Sequence, residues 1–182
     1  MSSPYVTLAS LGLELPLVSS PKGAYTPAVR AGGLVFVSGQ IPLTEGRLTE
    51  VGRVGAEVSP ERARELSRQC ALAALAAVDS VVGLDRVTRV VKVVGYVASA
   101  DGFTAQPQVV DGASELLVEV FGEAGRHART AVGVGEGPLR APVEIELLVG
   151  SPTTSPGVTS PGSEPPFRER RSPCPHPAEC GP

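Results

Sequence analysis

Two charged residues near the end of the patterned part of the chain stand where chemistry is expected. In HARTAVGVGEGPLRAPVEIELLVG, Arg129 enters one short alternating apolar run and Glu144 lies at the start of the next. A charge at the edge of an apolar run is costly unless something answers it. The two can pair with each other across strands, face water, or face a ligand, and spacing alone favours the cross-strand salt bridge. A ligand would use them differently. A guanidinium presents a rigid fork of donors that fits a carboxylate in bidentate fashion, and a nearby glutamate can orient or activate a water. Together they suit hydrolysis of a small acid that carries its own electrophile.

Other reactive types are weaker signals. Ser38-Gly39-Gln40 closes the run VFV, and a glycine there lets a ligand approach the backbone closely. Ser38 by itself reads most simply as a strand-end hydroxyl, and Tyr25 as a half-buried packing residue. His127, just before Ala128-Arg129, can sit near the same pocket, although a surface-loop histidine is the commoner case. CPHPAEC gathers Cys174, His176 and Cys180, but a structural zinc site needs four ligands on a folded frame, so no metal is expected. GVGEGP has glycines without the Lys-Ser/Thr and following helix of a phosphate loop.

These residues must be held by regular elements. AYTPAVRA and LVFVSGQIPL read as two β segments separated by the turn at Gly32-Gly33. SPERARELSRQCALAALAAVDSVVG reads as a long helix, with Ser59 as N-cap, Pro60 in the first turn and Gly83 at the end. Leu66, Cys70, Leu75 and Val78 fall on its apolar stripe. RVTRVVKVVGYVAS is a strand. QVVDGASELLVEVFGEAG is a second helix beginning after Pro107 and closing near Gly122 or Gly125. TAVGV and VEIELLV complete an order β, β, α, β, α, β, β, which implies an α+β two-layer sandwich with both helices on one face of the sheet. Alternate residues on the other face also read as largely apolar. A sheet apolar on both sides needs a second cover, and a further copy of the chain is the natural one.

Composition narrows the class. The chain has 182 residues, 42% of them hydrophobic, enough for one domain over residues 1–150. Residues 151–182 are rich in Pro, Ser and Gly and read as a disordered tail. Aromatics are only 4% and the net charge is -3, so neither base-stacking platforms nor a basic stripe for nucleic acid is expected. No apolar run is long enough to span a bilayer, and the first 20 residues lack the pattern of a signal peptide. Three cysteines make no disulfide framework, and a reducing cytoplasm fits best.

AYTPAVRAGGLVFVSGQIPL, the helix from Ser59, RVTRVVKVVGYV, and ARTAVGV…PLRAPVEIE together resemble the RidA/YjgF family of enamine/imine deaminases, over about residues 22–149. The more specific blocks are VSGQIPL and the Ala-Arg followed by a Pro-containing turn and V-E-I-E. The resemblance implies a chorismate-mutase-like sandwich assembled as a homotrimer, with sites in the clefts between subunits. It implies hydrolysis of 2-imino or 2-enamino acids to 2-keto acids and ammonia, without metal or organic cofactor. By position, Arg129 matches the arginine that binds the substrate carboxylate and Glu144 the glutamate that positions water. Tyr25 and Ser38 match pocket-lining residues, and Gly39 the adjoining backbone. Departures mark a divergent subgroup: His127 stands in place of a proline, Ala131 in place of a cysteine, and Gly137-Pro138 in place of Leu-Pro. The alternatives are a non-catalytic trimer that binds small carboxylic metabolites or a partner protein and, less favoured, a ribonuclease or translation inhibitor.

Overall fold

Ser59 starts the longest helix as its type suggests: its side chain accepts the N–H of Arg62 at 3.1 Å, and Pro60 fits the first turn, where no N–H is needed. The computed structural model describes residues 3–21 and 23–153. In chain order these form α1 (Pro4–Ser10), β1 (Ala28–Ala31), β2 (Leu34–Gln40), and a small hairpin of β3 (Leu43–Thr44) and β4 (Arg47–Leu48). Then come α2 (Pro60–Val82), β5 (Arg89–Ala98), α3 (Gln106–Phe121), β6 (Ala128–Val134) and β7 (Val143–Gly150). Short 3-10 turns follow α2 and α3 and precede β7.

The five long strands make one mixed sheet in the order β1-β2-β7-β5-β6. All neighbours are antiparallel except β5 and β6, whose parallel pairing is made possible by α3 as the crossover. Both long helices lie on one face, so the expected two-layer α+β sandwich is the observed one. Leu66 and Leu75 of α2, Leu116 and Leu117 of α3 and Ile145 of β7 are fully buried between the layers. Each such side chain contributes roughly 2 kcal/mol of hydrophobic stabilisation. Gly95 in the middle of β5 lets α3 sit close: a Cβ there would lie 2.4 Å from Val110 Cγ2. Cys70 is a free thiol sealed in this core, and burial pushes its pKa well up.

Three features differ from the sequence reading. Helix α1 was not anticipated, because seven residues are too few for a clear period. It is held by Leu8, buried in the core, and by the Tyr5 hydroxyl, which donates to Asp79 and accepts the Leu84 N–H at 3.0 Å. Pro107 lies inside the first turn of α3 rather than before it. The uncovered sheet face is mixed rather than largely apolar. Val29, Phe36, Val94, Val132 and Leu148 share it with Lys92, Glu144 and Glu146, because β7 alternates Glu-Ile-Glu-Leu-Leu with its acids outward.

The sheet's hydrogen bonding runs one residue beyond 150: the Ser151 N–H reaches the Gly33 carbonyl at 2.8 Å. The remainder of the Pro/Ser/Gly-rich segment, including Cys174, His176 and Cys180, lies outside the described residues. No described helix is long and apolar enough to cross a membrane.

Candidate functional site

Glu144 is placed by a fault in the sheet. Strand β2 shifts register against β7 between Val37 and Gln40, so Ser38 and Gly39 bulge out of the ladder. The bare Cα of Gly39 then faces the Glu144 side chain. A Cβ at that position would sit 1.8 Å from Glu144 Oε1. Glycine is needed there to make room for the carboxylate, not only to admit a ligand. Glu144 and Gly39 form one wall of a cavity of about 320 Å³, with Tyr25, Pro27, Gln40, Ile41, Pro138 and Leu139 around it. On its other side Glu144 borders a smaller hollow of about 220 Å³, shared with Tyr96, Glu136 and Glu146.

The carboxyl is half-buried, and its pKa is raised by burial first and by the Glu146 charge second. The consequence for stability has a definite sign. Unfolded, this group loses its proton near the ordinary value of 4.5; folded, it holds the proton to higher pH. The folded state therefore binds more protons across that window, and the site costs stability once pH rises through it. Glu144→Gln is expected to be more stable than wild type at pH 7, with the difference shrinking as pH falls through the raised folded value and gone well below about 4.5. Urea titrations of both proteins at several pH values check this; a glutamine variant less stable at neutral pH would contradict it.

Arg129 lies elsewhere. It sits opposite Val93 in the parallel register of β5 and β6, and Val93 faces the helices. Its Nη1 donates to Asp111 Oδ1 at 2.7 Å and to Ser114 Oγ at 3.1 Å, both on α3. His127 completes the group. Its Nδ1 is 2.6 Å from the Gly125 carbonyl, which can only accept, so Nδ1 carries the proton. Nε2, 3.1 Å from Ser114 Oγ, therefore accepts the serine O–H and leaves the serine oxygen to receive Arg129. Burial lowers the His127 pKa, with the Arg129 charge acting the same way against the Gly125 bond.

The cross-strand Arg129–Glu144 pair favoured by spacing is thus absent, and the arginine's acid is Asp111. Strand β5 separates β6 from β7. Tyr96 pairs with both Glu144 and Val132, which places those two on the open face. Arg129 is an odd step from Val132 and so points to the opposite side. Of the other expected residues, Tyr25 and Gly39 line the cavity with Glu144. Ser38 does not; its hydroxyl donates to the Thr26 carbonyl at 2.7 Å and fastens the segment that carries Tyr25. Sequence reasoning missed Asp111, Ser114 and Leu139. The first two sit at i and i+3 on one helix face, a spacing that signals a shared target only once the strand beside them is known.

Comparison with known proteins agrees with this architecture. Residues 6–147 match the family described as "YjgF/chorismate mutase-like, putative endoribonuclease". The chain is 41% identical over 144 residues to Protein TCP17 of Trypanosoma cruzi, covering 78% of this chain and 90% of that protein. It is 32% identical over 138 residues to the mitochondrial protein mmf1 of Schizosaccharomyces pombe, covering 72% and 73%. Among solved structures, Atu1372 of Agrobacterium tumefaciens, of unknown function, superposes with a TM-score of 0.75 at 38% identity, over 81% of this chain and 91% of that one. A protein of Shewanella oneidensis described as a "putative endoribonuclease" gives 0.80 at 32% identity, over 82% and 99%. With sequence match and sheet topology in agreement across nearly all the described residues, the chain belongs to the YjgF/chorismate mutase-like family.

Proposed function

We propose that the chain hydrolyses 2-imino and 2-enamino acids to 2-keto acids and ammonia, as a homotrimer whose sites are shared between neighbouring copies. One observation carries this: Glu144 lines a cavity with no cation among its described lining residues, while Arg129 stands on the terminal strand β6, facing away from it. Each chain then offers the acid half of one site and the cation half of another. Among the described residues, Arg129 bonds through Nη1, to Asp111 and Ser114. The Nε/Nη2 edge of the guanidinium is left to grip a substrate carboxylate in bidentate fashion.

In the reaction, Glu144 orients a water and takes its proton as the oxygen bonds to C2 of the imine. The C=N π electrons move to nitrogen, and a carbinolamine forms. The imine nitrogen enters protonated, so the carbinolamine is neutral. Glu144 returns its proton to that nitrogen, and the carbinolamine hydroxyl gives its own proton to the freed carboxylate, which passes it to solvent, as the C2–N bond breaks to leave ammonia and the 2-keto acid. A carboxyl with a raised pKa suits both halves of that transfer. We place the chain in the cytoplasm because its three cysteines make no disulfide framework.

The test is ammonia release from 2-iminopropanoate generated in situ by an amino-acid oxidase. Wild-type protein is expected to accelerate it well above the spontaneous rate; no acceleration at any pH between 6 and 9, roughly the range in which such a shuttle works, would defeat the proposal. The Asp111–Arg129 pair favours a second reading, a non-catalytic binder of small carboxylates or of a partner protein, because it neutralises part of the arginine's charge. That reading predicts thermal stabilisation by 2-keto acids without turnover. Ribonuclease activity, suggested by the descriptions of relatives, is disfavoured by the carboxylates Glu136, Glu144 and Glu146 around the site, which repel phosphodiesters.

A further inference from the structure

We infer that the Glu144 cavity selects 2-imino acids with branched aliphatic or aromatic side chains, and that Leu139 is the residue that sets this preference; the inference rests on the site proposed above. Pro21, Tyr25, Pro27, Ile41, Leu43 and Leu139 make the cavity wall away from Glu144 largely apolar. A pyruvate-sized acid fills only a fraction of its 320 Å³, a volume at the low end of ligand pockets of roughly 300–1,000 Å³. The substrate carboxylate does not belong inside. Its company there would be Glu144, and no described lining residue is cationic. With the acid end directed outward to a neighbouring copy's arginine, the substituent on C2 is the part that enters.

Leu139 is held in place at a cost. Its backbone is left-handed, with φ 55° and ψ 20°, and Arg140 follows at φ 64°. Consecutive non-glycine residues rarely adopt this conformation, and strain of this kind gathers at functional sites. The turn is pinned on both sides: the Arg140 N–H bonds the Gly137 carbonyl and its carbonyl accepts the Gly52 N–H, each at 3.0 Å. The Arg140 guanidinium reaches Glu136 at 3.3 Å. What this achieves is an exposed leucine over the cavity mouth, 62% accessible, where a substrate side chain would cover it.

Imines generated in situ from alanine, 2-aminobutanoate, norvaline, leucine and phenylalanine test the idea. The expected kcat/KM rises along the aliphatic series, about fourfold for each methylene buried. Leu139→Ala should reduce the ratio of leucine-derived to alanine-derived imine turnover about tenfold, and Leu139→Met should restore it. A second arm compares binding of 4-methyl-2-oxopentanoate and pyruvate by calorimetry, with the first expected to be tighter. If no imine is turned over, the hydrolase proposal fails and the calorimetric comparison alone decides the pocket's preference. Equal or reversed preference in either arm, or an unchanged ratio in Leu139→Ala, overturns the inference.

Discussion

Arg129→Ala is expected to lower kcat/KM for 2-imino acids by roughly two to three orders of magnitude. A bidentate guanidinium–carboxylate contact is worth about 3 to 4 kcal/mol in a sheltered cleft, which corresponds to that factor in rate. The loss should fall mainly on KM, because the carboxylate is bound alike in the ground and transition states. Arg129→Lys should not rescue it, since an ammonium cannot reproduce the planar fork. The Asp111 contact makes the prediction sharper. Asp111 accepts from Nη1 at 2.7 Å and removes part of the positive charge offered to a ligand. Asp111→Asn keeps a partner for the guanidinium and removes that charge, so it should tighten 2-keto acid binding rather than weaken it. Steady-state kinetics of the three variants, with calorimetry on pyruvate, measure all of this. Wild-type rates in Arg129→Ala would show that the arginine serves only to tie β6 to α3.

Glu144→Gln carries the second large effect. It should reduce kcat by about a hundredfold to ten-thousandfold, the usual worth of a positioned acid–base group, and move KM little. Folding is not the obstacle, since the variant removes a half-buried charge. The stronger measurement is complementation. Arg129 and Glu144 lie on opposite faces of the same sheet, so the site proposed above, which uses both, needs two copies. Arg129→Ala and Glu144→Gln proteins, each strongly impaired alone at substrate concentrations below the wild-type KM, should regain activity there after being unfolded together and refolded as mixed trimers. Sites built from the intact arginine of one and the intact glutamate of the other account for the recovery. A mixture as inactive as its components would place the whole site within one chain, contrary to the proposed assembly. Gly39→Ala should resemble Glu144→Gln, because a methyl 1.8 Å from Oε1 forces the carboxylate aside.

Much of the fold was legible in the chain's local patterning. Ser59, Pro60 and Gly83 bound α2 within a residue of where the sequence reading put it, and the β, β, α, β, α, β, β order of the main elements is the observed one. These signals are local: a cap, a period and a turn act over a few residues, so they survive without knowledge of what packs where. Helix α1 and the β3–β4 hairpin escaped because each is too short to show a period and is held by distant partners, as Tyr5 is by Asp79.

The site divides along the same line. Arg129 and Glu144 could be singled out in sequence, because a charge at the rim of an apolar run must be answered by something. What answers each was decided only in three dimensions. The insertion of β5 between β6 and β7, and one odd step along β6, turned Arg129 toward α3 and left Glu144 on the open face. The bulge at Ser38-Gly39 then opened the space Glu144 occupies, and the left-handed turn at Leu139 closed the cavity beside it. Strand order, register and turn geometry are set by contacts between residues far apart in the chain. Local pattern therefore chose the reactive groups, and long-range packing chose their partners.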